Sequence, residues 1–130
     1  MSEFSKSLDV TTSGLQAQSQ RLRLLSENIS NADTPGYRRK TASFEAAMAT
    51  MGSVADVRLG TVRLDARDLE TVFDPSHPLA NESGHYEGSN VDLIIELADA
   101  REAQRSYEAN LKMFEQARQM SSSLMELLRR

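Results

Sequence analysis

Residues 28 to 37, Asn28-Ile29-Ser30-Asn31-Ala32-Asp33-Thr34-Pro35-Gly36-Tyr37, read as a helix exit, and the chain before them is patterned as a helix. Pro35 pushes Thr34 out of helical backbone geometry. Thr34-Pro35-Gly36-Tyr37 fits a type II turn, with proline second and glycine supplying positive φ third. Asn31 and Asp33 tolerate the left-handed backbone and bond locally, which suits a helix exit. Strong helical periodicity returns only near Val91. The chain therefore reads as helix, insert, helix: residues 1–34 and 91–130 together form one helical domain, and residues 35–90 form an insert.

The first helix is expected from about Ser5 to Ser30. Leu8, Leu15, Leu22 and Ile29 fall at intervals of seven, with Thr11, Gln18 and Leu25 between them, which is a heptad seam of mixed polarity. An ordinary core helix and an assembly helix in a coiled coil both fit that pattern. The second helix is expected from about Val91 to Arg129, with Asn90 as its N-cap. One apolar band is Leu93, Leu97, Ala100, Tyr107, Leu111 and Phe114; another is Ala103, Met113, Ala117, Met120, Leu124 and Leu127. Together they are wider than one seam. An antiparallel helix pair leaves part of this surface uncovered, and extensive exposed apolar surface marks an interaction site.

The insert is harder to read. Arg38, Arg39 and Lys40 form a basic triplet, which reads as a solvated face or as a contact to an acidic partner. Residues 44–51, rich in Ala and Met, predict a short helix stopped by Gly52. Val57-Arg58-Leu59 and Val62-Arg63-Leu64 flank Gly60-Thr61, which predicts a tight β-hairpin. Residues 66–90 read as a solvated connector. Its Asp74, His77, Glu82 and His85 match no metal-site spacing.

Several functions find no support. The chain has no cysteine, so disulfides, thiolate metal sites and cysteine nucleophiles are excluded. No nucleophile elbow, phosphate loop or zinc-protease motif occurs, so no catalytic residue, cofactor-binding residue or metal ligand is assigned. A net charge of −4 gives no nucleic-acid footprint. No apolar stretch reaches the ~20 residues that span a bilayer, and residues 1–6 do not read as a secretory signal. The expected fold class is mainly α: an antiparallel pair of long terminal helices, coiled-coil-like, with a small irregular or β-hairpin insert.

The stretch Asn28, Asn31, Ala32, Asp33, Thr34, Pro35, Gly36, Tyr37 resembles the N-terminal signature of bacterial flagellar rod and hook axial proteins. Asn90-Val91-Asp92-Leu93 through Ala100, then Arg105-Ser106-Tyr107-Glu108-Ala109-Asn110, is similar to that family's C-terminal helix. The loop Asp74-Pro75-Ser76-His77-Pro78-Leu79-Ala80-Asn81, followed by Gly84, points within the family to a proximal rod protein. The resemblance implies a structural, non-enzymatic subunit of the basal body. Its terminal helices would polymerise into an inner layer around the export channel, in a rod that transmits torque. It implies as partners copies of the chain itself, FlgB-like, FliE-like and distal rod proteins, the flagellar type III export apparatus and the surrounding rings. It also implies a periplasmic rod location, reached without a cleavable signal. The assembly faces expected are Leu8, Leu15, Leu22, Leu25 and Ile29 on the first helix, and Leu93, Leu97, Tyr107, Leu111, Phe114 and Leu124 on the second. The rival reading is a soluble helical adaptor or export chaperone that binds a partner helix.

Overall fold

The computed structural model describes residues 3–46 and 56–129. Helix α1 (Glu3–Ser30) and helix α2 (Leu93–Leu128) run antiparallel. At 1.5 Å per residue they are roughly 42 and 54 Å long. Asn28 meets Glu96, Arg21 lies 3.7 Å from Glu102, and Gly14 sits beside Asn110. Extended along α1, this register puts Glu3 opposite about residue 121. Roughly the last two turns of α2, carrying Leu124, Met125, Leu127 and Leu128, therefore reach past α1 and are exposed.

The row of α1 that meets α2 is not the heptad of leucines. It is Gly14, Arg21 and Asn28, one residue before Leu15, Leu22 and Ile29 in each turn and so about 100° away round the helix. Among the described residues, the buried apolar ones are Ala17, Leu25 and Ala103. Small side chains let the helices come close: a Cβ on Gly14 would stand 3.3 Å from Asn110 Nδ2. Leu8, Leu15, Leu22 and Ile29 flank this row and stay half-buried. Periodicity registers only apolar residues, so a seam of glycine, arginine and asparagine passes unseen.

Asp92, not Asn90, caps α2: its carboxylate accepts from Ile94 N at 3.0 Å. Asn90 is drawn away because its amide is used elsewhere. α1 ends without a left-handed residue, since no non-glycine residue has positive φ among the described residues. Asn31 Nδ2 instead donates back to Glu27 O at 2.9 Å, and Thr34 N donates to Asn31 O at 3.0 Å. Gly36 then takes φ +76, and Tyr37 N donates to Thr34 O at 3.2 Å, closing the turn.

Among the described residues, the insert contains six short strands in three antiparallel pairs. β1 (Lys40–Thr41) pairs with β4 (Arg63–Leu64), and β2 (Phe44–Ala46) pairs with β3 (Val57–Leu59). These two pairs are one interrupted ribbon. Between Thr41↔Arg63 and Phe44↔Leu59, the second strand carries one residue more than the first. Gly60 and Thr61 thus lie in a bulge rather than in a hairpin turn, with Gly60 N donating to Ser43 O at 2.7 Å. Val57–Leu59 and Arg63–Leu64 do not pair with each other. The expected short helix is also corrected where it is described. Phe44–Ala46 is a strand because β3 offers it a partner, which outweighs helix propensity; residues 47–52 lie outside the described residues. The ribbon packs along α1, where Ser13 Oγ accepts from Val57 N at 3.0 Å and Arg21 lies over the Phe44 ring.

Residues 66–90 are more than a solvated connector. β5 (Thr71–Phe73) pairs with β6 (His85–Glu87), closing a loop from Asp74 to Gly84. Asp74 Oδ1 accepts from Ser76 N, and Asn81 Oδ1 accepts from Ser83 N and His85 N, so side chains fold the loop locally. His77 stacks on Tyr86 and His85 tilts against Phe73. This hairpin is tied to the α1 exit: Gly36 N donates to Gly88 O at 2.9 Å, and the Ser89 hydroxyl donates to Ala32 O.

Candidate functional site

The closed end of the helix pair, where the insert leaves and returns, holds a buried polar junction. Asn28 is 0 % exposed and its amide is fully used. Nδ2 donates to Lys40 O at 2.9 Å and to Glu96 Oε2 at 3.4 Å; Oδ1 accepts from Lys40 N at 2.9 Å and from the Tyr37 hydroxyl at 2.8 Å. Two donors and two acceptors exhaust an amide side chain. Towards Lys40 it behaves as a peptide group would, adding one more bridge to the edge of β1.

Glu96, from the first turn of α2, is also 0 % exposed. Arg39 Nε donates to its carboxylate. The same guanidinium reaches Asp99 at 3.3 Å and Asp65 at 3.8 Å. Asp65 is shared with Arg67, which donates from Nε at 3.0 Å and lies at 2.9 Å through its other nitrogen. That Arg67 pairing, helped by the Arg67 backbone N–H and the Arg39 charge, holds the Asp65 carboxyl below the usual carboxylate range. Burial and the Glu27 carboxylate push the Tyr37 phenol up, so it stays a donor to Asn28. The Glu27 hydrogen bond likewise raises Lys40. Asn90 closes the junction: Oδ1 accepts from Arg39 N at 2.6 Å, and Nδ2 donates to Asp65 O and Arg67 O. Arg38 donates to the same two carbonyls.

Of the signature residues, Asn28 and Tyr37 meet in the junction, while Asn31, Ala32, Asp33, Thr34, Pro35 and Gly36 form the turn that brings Tyr37 back over Asn28. The basic triplet is not a solvated face: Arg38, Arg39 and Lys40 are all engaged within the chain. Asp65, Asn90 and Glu96 went unrecognised as site residues because each is a single polar residue in an unremarkable setting. The one available signal was Glu96, a carboxylate between Ile95 and Leu97 at the start of an apolar helix. The residues expected on assembly faces are elsewhere. Leu25 is buried within the subunit, whereas Leu93, Leu97, Leu111 and Leu124 are exposed at 44, 52, 38 and 44 %. Tyr107 and Phe114 are half-buried.

The junction ties the paired terminal helices to the insert, and α2 carries exposed apolar side chains along its length. Two family descriptions match the corresponding segments. Residues 8–38 match the flagella basal body rod protein family, and residues 82–127 match the C-terminal family of flagellar basal body rod FlgEFG proteins. The class is therefore that of flagellar basal-body rod proteins. The flagellar basal-body rod protein FlgC of Agrobacterium fabrum is 40 % identical, over 99 % of this chain and 98 % of its own length. Those of Escherichia coli O6:H1 and Bacillus subtilis are 31 % and 29 % identical, over 86 % and 93 % of this chain and 88 % and 95 % of their own. The chain belongs to the FlgC family. Among the described residues, no helix is long and apolar enough to cross a membrane.

Proposed function

We propose that this chain is a structural subunit of the proximal rod of the bacterial flagellar basal body, polymerising through its terminal helices around the export channel and transmitting torque. The observation that carries this reading is the apolar surface that α2 leaves outside the pair. At 100° per residue, Leu8, Leu15, Leu22 and Ile29 of α1 fall on the same flank of the pair as Leu93, Leu97 and Leu111 of α2. Tyr107 and Phe114 lie between that flank and the seam. Ser13 and Glu27, which meet the ribbon, lie on the opposite side of α1. Leu124 falls on the second flank of α2 with Met113 and Met120. Two apolar flanks facing different ways suit neighbours on two sides, the geometry of a non-closing assembly.

On this reading the neighbours are copies of the chain and other rod proteins of FlgB-like, FliE-like and distal type, with the surrounding rings outside. The type III export apparatus delivers the chain without a cleavable signal, and the rod stands in the periplasmic space. Leu111→Asp tests the packing. It places a charge on an exposed position, so expression and helix content should hold while basal bodies isolated from the mutant lack the subunit and cells lose motility. Normal incorporation and swimming would sink the reading.

A further inference from the structure

The heptad of α1 creates an ambiguity that its leucines cannot resolve. A strict seven-residue repeat offers nearly the same apolar face after a slip of seven residues. Gly14 is closely fitted at the crossing, but the small Ala17 and Ala103 present little to block such a slip. A single buried polar residue is the best-attested device for fixing register in helix pairs. Asn28 stands in that position at the end of the row Gly14, Arg21, Asn28. It binds three elements at once, with α1 as its base, the backbone of β1 through Lys40 and the α2 carboxylate of Glu96. Burial denies Asn28 and Glu96 water, so a slipped pair would strand both.

We propose that Asn28 is a positioning residue that fixes the register of α1 against α2 and couples it to the point where the insert departs. Glu96 acts as its counterpart on α2. In the rod-subunit reading, this register decides whether the apolar residues of the two helices line up on a common flank. The consequence rests on that reading, but the register itself does not.

Because the chain lacks cysteine, the register can be read by introduced pairs in the full-length protein. Arg21→Cys with Glu102→Cys, joined by a short bifunctional thiol-reactive linker, reports the observed register, since the native side chains meet tip to tip at 3.7 Å. Arg21→Cys with Ala109→Cys, and with Ile95→Cys, report slips of about one heptad either way. With Asn28 present, the linker should join the first pair alone. With Asn28→Ala, or Asn28→Gln as a second variant that keeps the amide but displaces it, the first pair should lose yield several-fold and a slipped pair should appear at unchanged helical circular dichroism. Tyr37→Phe, which removes one bond and leaves the amide in place, should behave as the parent. Cross-linking confined to the first pair in both Asn28 variants overturns the proposal. So does loss of helix and of every cross-link in both, which would make Asn28 a stabiliser. A parent that does not prefer the first pair also overturns it. Motility and basal-body composition read the rod role separately.

Discussion

Removing Arg39 would leave Glu96 sealed from water with only the Asn28 amide beside it. Breaking a buried ion pair from one side costs about 3–5 kcal/mol, so Arg39→Ala should lower unfolding stability by about 3 kcal/mol in urea titrations. Glu96→Gln keeps a hydrogen-bonding group in place, while Arg39 retains Asp65 and Asp99, so its cost should be nearer 1 kcal/mol. Equal effects would mean that the pair is not insulated. Asp65 gives a pH dependence with a definite sign. Its carboxyl titrates lower in the folded chain, so its contribution is complete above the unfolded value, near pH 4, and is lost as pH falls through the folded value. Stability should therefore fall in acid below about pH 4, and Asp65→Asn should flatten part of that fall. Little of this was legible in the sequence. Arg39 between Arg38 and Lys40 reads as solvent-facing, and its three carboxylate partners lie 26 to 60 positions further along the chain.

At the scale of elements, the turn after α1 is the most exposed to test. Nothing lies within 4 Å of a Cβ built on Gly36, so Gly36→Ala meets no clash and its cost is backbone strain at φ +76 alone. That should amount to about 1–2 kcal/mol, read by thermal or urea unfolding; a neutral substitution would show the turn can reshape. The turn and both helices were visible beforehand because proline, glycine and seven-residue spacing act locally. The strands were not. Phe44-Glu45-Ala46 looks helical until β3 supplies a partner, and Gly60 serves a bulge as readily as a turn. Pairing between segments separated by ten residues or more leaves no periodic mark on either one.

Across the whole molecule, every buried residue among those described lies between Ala17 and Asn28 or between Gly84 and Ala103. The closed end is a packed unit, and the open end, residues 5–14 and 110–128, has no buried residue. Hydrogen exchange on the isolated chain should show slow amides from about Leu22 to Lys40 and from Ser89 to Ala103, with fast amides towards both termini. Uniformly slow helices would favour the adaptor reading over the rod subunit. The same distribution has a mechanical meaning. Of the three buried apolar side chains, two are alanine. A pull on either terminus would first peel helix that is held by no interior, meeting little resistance until it reached the Asn28 junction. The subunit can thus be drawn out into a thread with little work, and the junction is the knot at which that work concentrates.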